Sequence, residues 1–440
     1  MRMQTKQRTT KTTRRTTVER TTWKRLMARL RNLGPGLVTG CADDDPSGIA
    51  TYSQAGAQFG TQLLWGTVLT FPLMVCVQEI SARIGQVTGS GLAGTMRRHY
   101  SRWLLYPIVF LLTVVNVINI GADIGAMGAA IALLLGNLPF HIYAIAFGIT
   151  SVLAQVFIRY APYSRLLKWL SLATVGYIAV AFTVRIPWED VLRHTVLPTL
   201  SSDRDYWLTL VGVLGTTISP YLFFWQSSQE VEEQKMAAAP PLSQAPRAAP
   251  GRFRRISFDT ITGMAVSNLV AYFIILTAAV SLHGHGVTQI NSAADAAKAL
   301  EPVAGRFAFL LFSLCIIGTG LLAVPVLAGS AGYAAAEIFR WPVGLDRKVA
   351  KAKAFYAFIA GATLVGTLLN FLPVDPVRAL FWSAVLNGLL AVPVLIVLLW
   401  MGGSKKVMGG LVVPRTLRIG GWITTVLMAA AAAAMVVLSI

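Results

Sequence analysis

The chain is built from apolar segments that are long enough to cross a lipid bilayer. Of its 440 residues, 55% are hydrophobic and only 13% are charged, and the mean hydropathy is +0.61. Soluble domains carry roughly 25% charged residues. Because about 20 consecutive apolar residues span the hydrocarbon core as a helix, the sequence predicts an all-α polytopic membrane protein with about 11 transmembrane helices. The predicted cores are 34–58, 61–83, 104–133, 141–158, 165–184, 206–228, 258–282, 305–337, 352–372, 378–401 and 419–440.

The basic residues are distributed unevenly around these spans. Most of the 38 lysines and arginines lie in residues 1–30 or in alternate loops, and few lie in the loops between. Loops rich in Lys and Arg stay on the cytoplasmic side. This predicts a multi-pass protein of the plasma (inner) membrane, with a basic cytoplasmic tail at 1–30 and the C-terminus outside. The net charge of +19 is thereby explained without nucleic-acid binding.

The connection between the sixth and seventh spans has an unusual composition. Residues 237–250 read AAAPPLSQAPRAAP. Segments rich in Ala and Pro are typical of linkers, so a flexible cytoplasmic linker is predicted here. Just before it stand Glu230, Glu232 and Glu233, which either attract cations or are simply solvated.

The first span contains Asp43, Asp44 and Asp45 in a row. A charged side chain at the centre of a span costs about 2.5–3.5 kcal/mol on insertion scales. Pro46 and Gly48 follow directly and both disfavour helix, so the span is expected to unwind here. Freed carbonyl groups beside carboxylates suit a hard cation such as Mg²⁺ or Mn²⁺. The alternative is that an aspartate only caps the second half of the helix.

A second break is expected in the sixth span, where residues 215–221 read GTTISPY. It lies five spans after the first break, as in two inverted repeats that each begin with a broken helix. The predicted repeats are 31–184 and 185–401, followed by helix 11 at 402–440. In the third span, Asp123 lies within GADIGAMG, whose small residues favour close helix packing. Its carboxylate is expected either to take part in a relay or to make a structural hydrogen bond.

Residues 34–65, GPGLVTGCADDDPSGIATYSQAGAQFGTQLLW, resemble the first span and following turn of the Nramp family of divalent-metal transporters. The similarity continues through SARIGQVTGSGLA at 81–93 and is weaker in later spans. The resemblance implies the LeuT-type fold of five plus five helices in inverted repeat, with helices 1 and 6 broken. It also implies a transporter that needs no cofactor, rather than an enzyme.

The chain departs from the family pattern at three motifs. The family's Asp-Pro-Gly-Asn is DPSG at 45–48, and its Met-Pro-His is SPY at 219–221. In the third span, the family's Asp, two residues, then Glu becomes Asp123 and Ala126. The metal-binding asparagine, the methionine thioether, and the histidine and glutamate linked to proton movement are therefore all replaced.

Carried over by position, the resemblance implies that Asp45 and the Ala42 carbonyl bind the metal. Thr216 and Ser219 would face them from the sixth span, and Gly48 would leave space for water. Further residues expected to line the site are Asp43, Asp44, Asp123 and Tyr221.

The replacements predict a site that is wider and has harder ligand atoms, so that it accepts partly hydrated Mg²⁺. We therefore expect a relative of the Nramp-related magnesium transporters, carrying Mg²⁺, and also Mn²⁺, without obligatory proton coupling. The alternatives are a proton-coupled Mn²⁺ or Fe²⁺ transporter of the ordinary Nramp type, a carrier of an organic cation, and an intramembrane enzyme using an aspartyl pair. The expected partners are the metal ion and the lipid bilayer, and the sequence leaves the oligomeric state open.

Overall fold

The computed structural model describes residues 34–158, 174–180, 182–345 and 347–438. All regular structure within these ranges is helical, and short 3₁₀ turns join several of the helices. The helices are α1 (Pro35–Asp43), α2 (Pro46–Phe59), α3 (Leu64–Thr88), α4 (Leu92–His99), α5 (Arg102–Leu135), α6 (Phe140–Phe157), α7 (Val175–Val180), α8 (Trp188–Val196), α9 (Arg204–Thr217), α10 (Pro220–Met236), α11 (Ala249–Ser281), α12 (Ala293–Lys298), α13 (Glu301–Ala304), α14 (Ala308–Phe339), α15 (Lys353–Leu368), α16 (Pro376–Gly403), α17 (Lys405–Met408) and α18 (Arg415–Val437).

Nine helical segments in the described ranges are long and apolar enough to cross a membrane. They coincide with the predicted spans except the fifth, and one segment, Pro46–Thr88, includes both the second half of the first span and the second span. Residues 165–173 and 181 of the fifth predicted span, 165–184, lie outside the described residues, and so does the whole predicted tail at 1–30. The prediction of an all-helical polytopic membrane protein is confirmed.

The first span is broken at the aspartates, as predicted. Helix α1 ends at Asp43, and α2 begins at Pro46. Proline is favoured at the first position of a helix, where no N–H donor is needed. Asp45 caps α2, because its Oδ1 accepts a hydrogen bond of 2.8 Å from the N–H of Gly48. The break therefore follows from local sequence alone.

The sixth span is broken in a similar way. Helix α9 ends at Thr217 and α10 begins at Pro220. The hydroxyl group of Ser219 donates to the carbonyl groups of Gly215 and Thr216, each at 2.8 Å. These carbonyls lie in the last turn of α9, where helical donors run out.

The two halves of the first span lie along α11. The contact with α1 is so close that a Cβ atom built on Gly40 would stand 2.3 Å from the carbonyl oxygen of Gly263. A Cβ on Gly263 would in turn meet the carbonyl oxygen of Gly36 at 2.2 Å. Glycines at these positions let the two backbones touch, as small residues do at helix crossings in membranes.

Helix α11 also holds both ends of α1. Its Asp259 accepts hydrogen bonds from N–H groups at the start of α1, the shortest being 2.7 Å from Gly36. A carboxylate is favourable there because a helix N-terminus is electropositive. At the other end, the hydroxyl group of Ser267 lies 2.6 Å from Asp43 Oδ2 and 3.2 Å from Asp44 Oδ1.

Helix α5 packs against α14 and α16, and α16 packs against α9. The small residues around Asp123 favour close packing, and they let α5 approach α15 and the turn that follows it. A Cβ on Gly121 would stand 2.7 Å from the carbonyl oxygen of Gly366, and one on Gly125 would stand 2.0 Å from Asn370 Oδ1. A hydrogen bond of 3.2 Å from Asn119 of α5 to Asp45 places the middle of α5 beside the break in the first span.

The segment 237–250, predicted as a flexible linker, is anchored near its middle. Leu242 is completely buried. The N–H groups of Leu242 and of the residue after it donate to the carbonyls of Gln86 and Val87, at 2.9 and 3.1 Å. Those carbonyls lie at the end of α3, where no helical donor is available. The segment is therefore held in place, and its last residues already belong to α11, which begins at Ala249.

Two of the glutamates before this segment, Glu230 and Glu232, are buried instead of solvated, and Glu233 is half-buried beside Arg255. Glu230 is only 1% exposed and accepts a hydrogen bond of 2.9 Å from Gln86 Nε2. It also lies 3.5 Å from Arg255 Nη2. Glu232 accepts a hydrogen bond of 3.0 Å from the N–H of Leu345. Buried carboxylates need such partners, so these residues hold α10 to its neighbours.

The close contact between α1 and α11 leads to a test with two alanine variants. We expect Gly40→Ala to lower the melting temperature, because overpacking a close contact costs about 1–3 kcal/mol. Gly66→Ala is the matched control in α3, since a Cβ there meets no atom within 4 Å. The control should be neutral or slightly stabilising. Size-exclusion chromatography after heating would measure both, and equal melting temperatures would contradict the described contact.

Candidate metal site

Asp45 is held in one orientation by donors from three helices. Its Oδ1 accepts hydrogen bonds from Ser47 Oγ at 2.6 Å and from the N–H of Gly48 at 2.8 Å. Its Oδ2 accepts from Asn119 Nδ2 at 3.2 Å and from the hydroxyl group of Tyr221 at 3.3 Å. The residue is 1% exposed. Oδ1 is thus committed to capping α2, while Oδ2 faces α5 and α10.

The Ala42 carbonyl is freed by the proline four residues later. In an unbroken helix this carbonyl would accept a hydrogen bond from the N–H of residue 46, but Pro46 has no N–H. The hydroxyl group of Tyr221 donates to it instead, at 3.1 Å. Tyr221 therefore contacts both oxygen atoms that the sequence predicted as metal ligands, the Ala42 carbonyl and Asp45 Oδ2.

The second break frees a carbonyl in the same way. Pro220 removes the N–H that would serve the carbonyl of Thr216, and Ser219 Oγ donates to that carbonyl at 2.8 Å. The hydroxyl of Ser219 is thus used within its own span. The roles predicted for Thr216 and Ser219 as ligands stay predictions, and in this conformation their nearest donor and acceptor partners are local.

Gly48 brings α2 close to α9. A Cβ at this position would lie 3.2 Å from Thr216 Oγ1, 3.3 Å from the Asp43 carbonyl oxygen and 3.4 Å from Tyr52 Cε2. In this conformation the glycine allows a close approach of helices and does not open a gap. Space for water beside it therefore requires that α2 and α9 move apart.

The other acidic residues near the break differ in their surroundings. Asp43 and Asp44 turn towards α11 and share the single hydroxyl donor of Ser267. Asp123 is fully buried, and its carboxylate faces the N–H of Ser47 at the start of α2 without closing a well-formed hydrogen bond. Asp45 and Asp123 thus both lie at the electropositive end of α2, which favours negative charge.

Two residues of this site were missed at the sequence level. Asn119 donates to Asp45, and Ser383 of α16 donates to Asn119 Oδ1 at 2.7 Å. That bond orients the amide so that its N–H groups face the carboxylate. Asn119 could have been found, because with Asn116 and Asp123 it forms a polar series at helical spacing on one face of an apolar span. Nothing in the sequence singles out Ser383.

The donor set determines which ions the site could hold. In the part of the chain that the structure describes, no three His, Cys, Asp or Glu side chains come together in a way that could hold a metal. An ion at the break would therefore be bound by at most two carboxylates, together with carbonyl, hydroxyl or water oxygens. Such a set suits hard cations, which prefer oxygen ligands.

Comparison with known proteins agrees with this arrangement. The family profile described as natural resistance-associated macrophage protein-like, Nramp, matches residues 36–438. The chain belongs to the Nramp family. Membership makes it a transporter that works without a cofactor, and not an intramembrane enzyme.

Two curated relatives show how far the similarity extends. The divalent metal cation transporter MntH of Klebsiella pneumoniae (strain 342) is 29% identical over 408 residues, which cover 90% of this chain and 91% of the relative. The MntH of Verminephrobacter eiseniae (strain EF01-2) is 29% identical over 384 residues, or 86% of this chain and 82% of the relative.

Solved structures confirm the fold. A manganese transporter of Eremococcus coleocola superposes with a TM-score of 0.69 at 18% identity, covering 92% of this chain and 86% of the other. The same transporter in complex with an aromatic bis-isothiourea compound gives a TM-score of 0.67 at 20% identity, covering 93% and 86%. The LeuT-type fold with two broken helices is therefore established.

The position of Asn119 leads to a second test. We expect Asn119→Ala to weaken metal binding about 10–100-fold, as is usual when the partner that orients a ligand is removed. Asn116→Ala is the matched control one turn away, since Asn116 donates to the Leu327 carbonyl and to Ser330 Oγ. Isothermal titration with Mn²⁺ would measure both. Equal affinities for the two variants would remove Asn119 from the site.

Proposed function

We propose that this transporter carries divalent metal ions across the plasma membrane, with Mg²⁺ as the main substrate and Mn²⁺ as a second. The observation that supports it best is the pairing of the buried Asp45 carboxylate with the Ala42 carbonyl that Pro46 leaves free. Both lie at a break in a membrane-spanning helix, where irregular backbone is tolerated only inside the protein or beside water. Transport would proceed by alternating access between the two repeats, 31–184 and 185–401.

The preference for Mg²⁺ is inferred from the chemistry of the donors. The partners of Asp45 and of the Ala42 carbonyl are hydroxyl, amide and backbone groups. No thioether is among these partners, and thioethers favour softer transition metals. Mg²⁺ dehydrates reluctantly and is usually bound through one or two carboxylates with several waters retained. A site with the Asp45 carboxylate and few further protein oxygens fits this mode of Mg²⁺ binding.

We propose that transport is driven by the membrane potential without coupling to protons. A potential of 100 mV contributes about 2.3 kcal/mol per elementary charge, and a divalent ion carries two. Tyr221 and Ala126 stand where the family pattern has a histidine and a glutamate, and neither exchanges protons near neutral pH. The orientation in this proposal has residues 1–30 in the cytoplasm and the C-terminus outside.

A second candidate function is proton-coupled transport of Mn²⁺ or Fe²⁺. Two observations favour it. The curated relatives are named divalent metal cation transporters and the solved structures are of a manganese transporter. Asp123 is a buried carboxylate beside the start of α2, close enough to interact electrostatically with Asp45. Such a group could carry a proton while the ion is bound.

Flux into proteoliposomes separates the two functions. With a Mg²⁺-sensitive dye inside and internal pH recorded in parallel, we expect Mg²⁺ uptake that depends on the membrane potential and leaves internal pH unchanged. Asp45→Ala should abolish uptake, because the remaining carbonyl cannot balance the charge of the ion. Glu189→Ala, which removes an exposed carboxylate on α8, should transport as wild type.

The opposite result is equally clear. Mn²⁺ uptake with acidification, and no uptake of Mg²⁺, would favour the proton-coupled function. Uptake of Mg²⁺ that persists in Asp45→Ala would place the site elsewhere in the molecule.

A further inference from the structure

One hydroxyl group bridges the two oxygen atoms that we propose as metal ligands. Tyr221, the second residue of α10, lies with its hydroxyl 3.1 Å from the Ala42 carbonyl oxygen and 3.3 Å from Asp45 Oδ2. Its side chain is 1% exposed. A phenol has a single hydrogen to donate, so the two oxygens share it. This hydroxyl belongs to the sixth span and donates to the two oxygens at the break in the first span.

A metal ion would need the same place. Magnesium binds oxygen at about 2.0–2.1 Å, so an ion bound to both oxygens stands between them. Because the Tyr221 hydroxyl donates to both oxygens, its hydrogen points into that region. The ion and the phenolic hydrogen therefore exclude each other.

We propose that Tyr221 is a built-in competitor of the transported ion. It occupies the Ala42 carbonyl and Asp45 Oδ2 while the ion is absent, and it is displaced when the ion binds. Because the hydrogen bond reforms as the ion leaves, it lowers the affinity of the site and assists release. This inference rests on the proposed function, since it assumes that these two oxygens bind the ion.

The neighbouring polar groups do not share this role. Asn119 donates to Asp45 but not to the Ala42 carbonyl, and Ser383 holds its amide from behind. Asn119 can keep its hydrogen bond to Asp45 when the ion binds. The hydroxyl group of Tyr52 lies 2.8 Å from Thr217 Oγ1 and contacts neither ligand oxygen. Displacement of a phenol also releases no proton at neutral pH, in keeping with transport that is uncoupled from protons.

The test compares Tyr221→Phe with wild type and with Tyr52→Phe as the matched control. Titration of the purified full-length protein with Mg²⁺ and with Mn²⁺ should give a Kd about tenfold lower for Tyr221→Phe, because a hydrogen bond to a charged group no longer stabilises the ion-free form. In proteoliposomes KM and kcat should both fall, since the ion leaves more slowly. Tyr52→Phe should match wild type in Kd.

A thermal unfolding measurement distinguishes the competitor role from a general effect of the substitution on folding. The rise in melting temperature on adding metal should be larger for Tyr221→Phe than for wild type, because only the ion-free form loses a hydrogen bond. Tyr221→Leu, which also lacks the hydroxyl, should behave in the same way. A Kd that is unchanged or higher in both variants would overturn the competitor role. Absence of saturable binding of either ion by wild type would instead overturn the proposed function.

Discussion

The site depends on a hydrogen bond that the chain cannot make. Pro46 has no N–H, so the carbonyl of Ala42, four residues earlier, has no donor within its own helix. Pro220 has the same effect on the carbonyl of Thr216. In each break a hydroxyl group takes over, from Ser219 in the sixth span and from Tyr221 in the first. The difference is that Ser219 acts within its own span, whereas Tyr221 links the two spans.

The surrounding helices make the unwound backbone tolerable inside a membrane. Helix α11 supplies acceptors and donors at both ends of α1 and packs against it through glycines. Helices α5 and α16 hold Asp45 from the other side through Asn119 and Ser383. Asp45 Oδ1 has its partners within the first span, whereas Asp45 Oδ2 and the Ala42 carbonyl have theirs on neighbouring spans. One oxygen of Asp43 and both carboxylate oxygens of Asp123 are buried without a hydrogen bond. Buried oxygens without a hydrogen bond, next to a proposed cation site, are consistent with a site whose oxygens change partners when the ion binds and leaves.

The two breaks and their spacing could be predicted because proline and glycine act locally and because charged residues in apolar spans are conspicuous. Asn119 could also have been predicted from helical spacing. For the segment 237–250, composition indicates the tendency of the segment alone and not the free carbonyls of Gln86 and Val87 that accept its hydrogen bonds. The same limit applies to Glu230, whose burial follows from the positions of Gln86 and Arg255.

By itself the sequence determined that the chain spans the membrane many times, that its first and sixth spans are broken, and that Asp45 caps the second half of the first span. These features depend on hydropathy and on backbone donors within a few residues of each other. Only the tertiary structure decided that Asp43 and Asp44 turn towards Ser267, that Asn119 and Ser383 orient Asp45, and that Tyr221 reaches both the Ala42 carbonyl and Asp45 Oδ2. These contacts join residues that are far apart in the chain, and their geometry is set by how closely the helices pack.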